Sequence, residues 1–240
     1  GRFLNTGTLT LANNTLTINT SAFSNEGILN PQGGGVLDFN QGLQVNASGI
    51  LTGASGASFN IAGNLLGDTT NADLYAPQAI VKFDGVGTVV NPQQLEVMGR
   101  DLGAVAAGFS HNFVYRNITL ANNTYETLVD LADNVSGSEV EALYTNAIVV
   151  PAGSALNLNG LHLYTRAAVI EGVVANGSIT LIPDSGAIDY ASPTPGSLSV
   201  AGEVDEWAFF ARAGQHLTAV VDSGSGSVLT PKLNWAQIDL

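Results

Sequence analysis

The chain has 240 residues, enough for one large or two small domains, and charged residues make up only 11% of it. Seven Lys and Arg against twenty Asp and Glu give a net charge of −13, which argues against binding to nucleic acid or to an anionic membrane surface. Cysteine is absent, so disulfides, thiolate metal sites and cysteine nucleophiles are excluded, and no apolar run is long enough to predict a membrane span.

The first 90 residues consist of short runs with apolar residues at alternate positions, which is the periodicity of β-strands. Asn, one or two further residues and a Gly precede several of these runs, and this pattern places glycines at Gly7, Gly27 and Gly49. A repeat of roughly 20 residues is typical of one coil of a β-solenoid, in which inward apolar side chains stack into a continuous core.

The alternating strand pattern is interrupted near residue 91 and then resumes. Asn91 is a suitable N-cap and Pro92 a suitable first helical residue, so the stretch from Pro92 to Gly103 predicts a short helix. Strand patterns return after it, the clearest being the alternation from Leu156 to Tyr164. We therefore expect coils to continue to about residue 185.

One resemblance to a known group of proteins concerns this middle part of the chain. It rests on Asn122-Asn123-Thr124-Tyr125, Glu141-Ala142-Leu143-Tyr144, Val149-Val150-Pro151-Ala152-Gly153-Ser154 and Leu156-Asn157-Leu158-Asn159-Gly160-Leu161-His162-Leu163-Tyr164. The run resembles segments of very large, repetitive bacterial surface proteins of the planctomycete type, which are similar to parallel β-helices of the haemagglutinin and autotransporter-passenger kind. The resemblance implies a right-handed parallel β-helix over residues 1–185 and an extracellular or cell-surface location.

A second resemblance concerns residues 186–240, which follow the linker Ala191-Ser192-Pro193-Thr194-Pro195-Gly196-Ser197. The run Gly202-Glu203-Val204-Asp205-Glu206-Trp207-Ala208-Phe209-Phe210-Ala211-Arg212-Ala213-Gly214-Gln215-His216-Leu217-Thr218 is similar to the opening of the bacterial pre-peptidase C-terminal domain, a small jelly-roll sandwich. The resemblance implies an incomplete antiparallel β-sandwich. Because the chain also begins within a repeat and without Met, we expect a processed product or an excised piece.

Calcium is the one metal that the residues suggest. Asp68, Asn71 and Asp73 lie in a loop that follows a Gly and could offer oxygen ligands to a structural calcium ion. The spacing is not that of an EF-hand, and solvated loop acids are the alternative. A second acidic loop, Asp130-Leu131-Ala132-Asp133-Asn134, allows the same two interpretations. No other cofactor is predicted.

Three tyrosines recur at the coil interval. Tyr125, Tyr144 and Tyr164 are 19 and 20 positions apart, which in a solenoid predicts a column on one face. Such a column is either a ladder that stabilises the coils or a strip that binds polysaccharide. His162 stands alone in its strand pattern, without a second His at ligand spacing.

The favoured function is a non-catalytic structural or stalk module of a large extracellular bacterial protein, whose coils stack end to end on other copies or on adjoining coils of the same protein. The first alternative is a polysaccharide-binding adhesin module. The second is a polysaccharide lyase or hydrolase, which needs a base near acidic calcium ligands or paired carboxylates on adjacent coils. No such catalytic set is evident in the sequence, and no enzyme is predicted.

Overall fold

The computed structural model describes residues 1–121, 123–137, 140–182 and 185–187, with 196, 205–208, 216 and 218. These residues form strands and one short 3₁₀ helix, Ala106–Phe109. The strands are β1 (Arg2–Asn5), β2 (Thr8–Ala12), β3 (Thr15–Ile18), β4 (Ala22–Asn25), β5 (Ile28–Gln32), β6 (Val36–Phe39), β7 (Gly42–Val45), β8 (Ile50–Leu51), β9 (Ser58–Ile61), β10 (Asn64–Leu66), β11 (Ile80–Phe83), β12 (Gln93–Glu96), β13 (Gly99–Arg100), β14 (Tyr115–Leu120), β15 (Tyr125–Val129), β16 (Glu141–Val150), β17 (Ala155–Asn157), β18 (His162–Ile170), β19 (Val173–Ala175), β20 (Ile179–Leu181), β21 (Ser185–Ala187) and β22 (Glu206–Ala208).

Most of these strands belong to long parallel sheets. The first sheet has eight strands in the order β1-β4-β7-β10-β12-β15-β17-β19, and the second runs β3-β6-β9-β11-β14-β16-β18-β20. A short third sheet, β2-β5-β8, joins them in the first part of the chain. Within the described residues, each coil contributes one strand to the first sheet and then one to the second, and there are eight such coils. This all-β arrangement of parallel strands agrees with the predicted solenoid.

Ladders of inward side chains form the core. One ladder in the second sheet joins register partners in seven successive coils: Leu16, Leu37, Phe59, Val81, Ile118, Ile148 and Ala168. From Leu37 to Ile148 these side chains are fully buried, whereas Leu16 in the first coil is 38% exposed. The residues that alternate in the sequence thus point inward, and each coil contributes one of them to this ladder.

The recurring Asn and Gly lie at a corner between the first sheet and the short third sheet. The Asn25 side chain is buried, donates to the carbonyl oxygens of Gly27 at 2.9 Å and Ile50 at 3.3 Å, and accepts from Asn5 at 2.7 Å. A Cβ on Gly27 would lie 2.1 Å from the carbonyl oxygen of Gly7 in the preceding coil. The coils thus approach too closely at this corner for any side chain, which explains the spacing of the glycines.

The helix predicted from Pro92 to Gly103 is wrong. Residues 93–96 form β12, in which Leu95 is paired with Leu65 of the preceding coil and Leu128 of the next. Residues 99–100 form β13, which pairs antiparallel with β16. The residues form a strand despite the helix-capping signal, because in the sheet Leu95 buries its side chain between two coils and Gln93 hydrogen-bonds to the backbone.

The structure describes only a small part of residues 186–240. There β22 pairs with β21 in parallel, Ser185 opposite Glu206 and Ala187 opposite Ala208, which is unlike the antiparallel pairing expected of this segment. The rest of the predicted sandwich lies outside the described residues. No helix in the described part of the chain is long and apolar enough to cross a membrane.

Candidate functional site

Residues 97–114, here called the cover segment, connect β12 to β14. Val97, Met98 and Phe113 near its two ends belong to the main core, and the part between them lies against the outer face of β16 and β18. Its β13 pairs with the start of β16, and its 3₁₀ helix brings Phe109 against the ring of Tyr144, edge to face at 5.4 Å between centroids. Arg166 of β18 places its guanidinium 4.1 Å from the Phe109 ring centroid, within cation–π range. The cover segment is therefore packed on the solenoid rather than free of it.

Two of the three predicted tyrosines lie beneath this segment. Tyr144 and Tyr164 are register partners, and their rings stack at 4.8 Å. They form a second apolar cluster outside the main core, whereas their neighbours Leu143 and Leu163 belong to the main core on the opposite face. Tyr144 is 0% exposed and Tyr164 is 6% exposed, so their ring faces are not open to a sugar.

Tyr125 does not join this pair. It lies in β15 of the first sheet, while Tyr144 and Tyr164 lie in β16 and β18 of the second. The predicted column of three tyrosines is therefore wrong for Tyr125. The cause is the length of the intervening passage: the register offset between β15 and β17 is 30 residues, since Tyr125 pairs with Ala155, so a fixed interval of about 20 does not apply there.

Asp101 anchors the cover segment to β18. One carboxylate oxygen lies 2.5 Å from Nδ1 of His162, and the other accepts from the Tyr164 hydroxyl at 2.9 Å and from the N–H of Gly103 at 2.9 Å. The Tyr144 hydroxyl adds a second attachment, donating to the Gly103 carbonyl at 3.0 Å. Both attachments lie in residues 101–103, so this turn is fastened to β16 and β18 by side-chain hydrogen bonds.

The charges of this cluster follow from its contacts. Burial would raise the pKa of Asp101, but hydrogen bonds from His162, the Gly103 N–H and the tyrosine outweigh it and keep the pKa below its ordinary value. Burial raises the pKa of Tyr144 to about 12, and burial together with the Asp101 carboxylate raises the pKa of Tyr164 strongly. The cluster therefore holds an ionised Asp101 among neutral phenols at neutral pH.

An Asp that binds a partly exposed imidazole can orient a general base, and the His162 side chain is 61% exposed. Its hydrogen bonds within the described residues are to Asp101 and Tyr164, and no Ser or Thr hydroxyl is among them. Among the residues that the structure describes, the pair thus has the orienting carboxylate of a catalytic arrangement without a nucleophile in contact, and it joins the cover segment to β18.

The three residues of the predicted calcium loop have separate partners. Asp68 accepts the N–H of Ala47 at 3.0 Å, and Asp73 pairs with His111 at 3.1 Å. Asn71 uses its backbone carbonyl to accept the N–H of Tyr75. Within the described residues no group of three or more acidic or His side chains converges on a common point. A structural calcium ion in this loop stays a prediction.

A second set of acids holds the loop after β15. Glu96 accepts from the N–H groups of Leu131 and Ala132, and Glu141 accepts from those of Asn134 and Val135 at 2.6 and 2.9 Å. Burial raises the pKa of Glu96 above its ordinary value, and it raises the pKa of Glu141 to about 7. Two buried carboxyls therefore fasten this loop to the solenoid.

Sequence reasoning missed Asp101, Glu96, Glu126 and the contacts of His162. For Glu126 a signal exists, because it lies two positions before the inward Leu128 and so shares its phase in a strand. For Asp101 no local signal exists, since its partners lie 61 and 63 positions further along the chain.

No protein-family model matches this chain, and neither a curated protein nor a solved structure shows significant similarity to it.

Proposed function

We propose that this chain is a structural module of an extracellular bacterial surface protein, a stiff stalk whose coils stack end to end with further coils. The observation that carries the proposal is the continuous inward ladder from Leu37 to Ile148, which gives each coil the same apolar surface as the next. A solenoid of this kind buries its core only between neighbouring coils, so each coil is a template for another. We infer a right-handed winding, because right-twisted strands favour that hand in parallel connections.

The first coil has the features that such stacking needs. In the described part of the chain β1, β2 and β3 each pair on one side only. Phe3 stacks on Phe23 at 5.0 Å yet is 51% exposed, and Leu16 is 38% exposed although its partner Leu37 is fully buried. Unpaired strand edges beside exposed apolar side chains support pairing with another coil, from a second copy or from the same large protein.

The surface of the solenoid supports a mechanical role. Polar side chains of the first two coils bond to one another, Asn40 to Asn19 at 2.6 Å and Thr17 to Asp38 at 3.2 Å. These bonds run from one coil to the next, so they strengthen contacts between coils without requiring many charged side chains on the surface. A net charge of −13 would keep such rods apart laterally in solution.

Gly7 allows a direct test. A Cβ on Gly27 or Gly49 would strike the preceding coil at 2.1 Å, whereas a Cβ on Gly7 has nothing within 4 Å. Gly7→Ala should therefore leave the separate chain folded and block a coil from stacking on the first one. Sedimentation velocity and negative-stain micrographs should show end-to-end association of the wild type with rising concentration, and its loss in Gly7→Ala.

The matched control is Val86→Ala, which shortens an exposed side chain on a later coil and should associate like the wild type. A wild type that stays monomeric at high concentration contradicts end-to-end assembly, as does undiminished association of Gly7→Ala. Polysaccharide binding has less support than stacking, because Tyr144 and Tyr164 are covered.

A further inference from the structure

Between the fifth and sixth coils a threonine hydroxyl is held against a glutamine carboxamide. Thr124, just before β15, donates from Oγ1 to Oε1 of Gln93 in β12 at 2.5 Å, and both side chains are buried. The Gln93 nitrogen donates to the carbonyl oxygens of Ile61 at 3.0 Å and Gly63 at 2.9 Å, which fixes the orientation of the amide. The N–H of Gly87 donates to Oγ1 of Thr124 at 3.2 Å. Hydroxyl and carboxamide are therefore held in place before any reaction.

A third buried group stands beside them. Glu126 is the register partner of Gln93, so the two side chains project from the same face of adjacent strands, about 4.8 Å apart at the backbone. Glu126 is 0% exposed, and neither of its carboxyl oxygens has a hydrogen-bond partner among the described residues. Burial raises the pKa of this carboxyl well above its ordinary value, which favours its neutral form.

The fold gives no structural reason for Glu126. A buried carboxyl without partners destabilises a protein, and a Leu or Gln at this inward position would avoid that cost. A neutral carboxyl with both oxygens free is, however, able to accept a proton on one oxygen while it gives one from the other. The three groups together thus contain a nucleophile, an acyl donor and an acid–base group in a buried site.

We propose that Thr124 and Gln93 become joined by an intramolecular ester bond, formed with Glu126 as the acid–base residue. Oγ1 of Thr124 attacks Cδ of Gln93, forming the oxygen–carbon bond while the carbon–nitrogen bond breaks. The hydroxyl proton passes to one oxygen of the Glu126 carboxyl, whose other oxygen gives its proton to the departing nitrogen. The products are the ester and ammonia, Glu126 is regenerated, and no oxidant or other reactant is needed.

The bond would tie two coils of the solenoid across 31 positions of the chain. Hydrogen bonds between parallel strands open one after another when coils are pulled apart, whereas an ester in the core must be cleaved. The bond is independent of the proposed stalk function, since it joins residues of one chain and would form whether or not further coils stack on it.

Intact-mass spectrometry of the purified full chain tests the proposal. The wild type should be about 17 Da lighter than its sequence mass because ammonia is lost, and tandem spectra should contain one peptide pair joined through Gln93 and Thr124. Thr124→Val should have its full sequence mass. Glu126→Gln, which is close in shape and should fold, should also retain the ammonia or lose it far more slowly.

Thr145→Val is the matched control, because Thr145 is equally buried but its hydroxyl donates to the Ala147 carbonyl. It should lose the same mass as the wild type. A succinimide at Asn176-Gly177 would also release ammonia, so the joined peptide pair decides the assignment. A wild type at full sequence mass overturns the proposal, and so does a wild type whose tandem spectra lack the joined peptide pair.

Discussion

Tyr144 lies directly against Tyr164, ring on ring at 4.8 Å with 25° between the ring planes, because the two residues are register partners in adjacent parallel strands. The edge of Phe109 closes over Tyr144 from the cover segment. The stacked rings of Tyr144 and Tyr164 therefore form, together with Phe109, a small second apolar core. The aromatic rings stabilise the attachment of the cover segment, and that attachment can be tested separately from the main core.

Gly108→Ala should loosen the cover segment. An added Cβ would lie 2.1 Å from a ring carbon of Tyr144, a buried ring whose hydroxyl is fixed by Leu102 and Gly103. Because neither the backbone of the segment nor the ring can move freely, we expect a loss of about 1–3 kcal/mol in the free energy of unfolding. Hydrogen exchange should rise in residues 97–114 and stay unchanged in β6 and β9. Uniform protection in Gly108→Ala and the wild type would contradict the packing described here.

Two Asp–His pairs differ in burial and should therefore differ in their contribution to the free energy of unfolding. Asp101 is 14% exposed at its side chain and bonds to Tyr164 and Gly103 in addition to His162, whereas the Asp73 side chain and its partner imidazole are both 74% exposed. Asp101→Ala removes the carboxylate that accepts from the partly buried Tyr164 hydroxyl and Gly103 N–H, so we expect a loss of about 1–3 kcal/mol in the free energy of unfolding.

Asp73→Ala should change the free energy of unfolding by less than about 1 kcal/mol, because exposed ion pairs are screened by water. Urea denaturation of the two variants at one pH gives the comparison. Equal effects would mean that the Asp101 cluster does not anchor the cover segment.

Stability should fall as the pH rises from acid to neutral. The carboxyl of Glu141 has a pKa of about 7, chiefly through burial, against 4.5 for an ordinary Glu. Between these values the unfolded chain releases the proton while the folded chain keeps it, so the free energy of unfolding decreases with rising pH. Glu126, whose pKa is also raised by burial, acts in the same direction. Urea denaturation from about pH 5 to about pH 8 should reveal this slope.

Glu141→Gln is neutral at every pH and can still accept the N–H groups of Asn134 and Val135. It should therefore flatten the slope between about pH 4.5 and pH 7. Glu171→Gln, at an exposed position, is the control and should leave the slope as in the wild type. If Glu141→Gln has the same pH dependence as the wild type, Glu141 is ionised in the folded protein and this explanation is wrong.

The coils could be predicted from the sequence because their causes are local and repeated. Alternating Leu, Ile, Val and Phe determine which side chains point inward, and each Gly marks a corner where coils touch. Gly7, Gly27 and Gly49 gave the period of the first three coils, and the register confirms it, since Thr8 pairs with Ile28 and Ile28 with Ile50.

The cover segment could not be predicted because its causes are distant. The local signals around Pro92 favour a helix. The segment forms a strand instead, because Leu95 packs between Leu65 and Leu128 of the neighbouring coils. The same applies to the tyrosines, whose even spacing conceals that the coil containing Tyr125 is longer than 20 residues. A long passage in one coil shifts every later position, and sequence spacing alone does not reveal where that happens.

Equivalent glycines in the first two coils should respond differently to the same substitution. Gly27→Ala would place a Cβ 2.1 Å from the Gly7 carbonyl oxygen, which belongs to backbone of the preceding coil and cannot rotate away. The N–H of Ile28 bonds to that same carbonyl at 2.8 Å, so a shift of the corner also weakens a hydrogen bond between coils. We expect Gly27→Ala to lose about 1–3 kcal/mol in the free energy of unfolding.

Gly7→Ala is the matched comparison, since its Cβ would meet nothing within 4 Å in the separate chain, and it should unfold at nearly the same denaturant concentration as the wild type. Dilute protein must be used, so that association through the first coil does not add to the measured stability. Equal destabilisation by both substitutions would indicate that the cost comes from the backbone conformation of the glycine and not from the closeness of the coils. A cost confined to Gly27→Ala would identify contact between coils as the reason why the glycines recur.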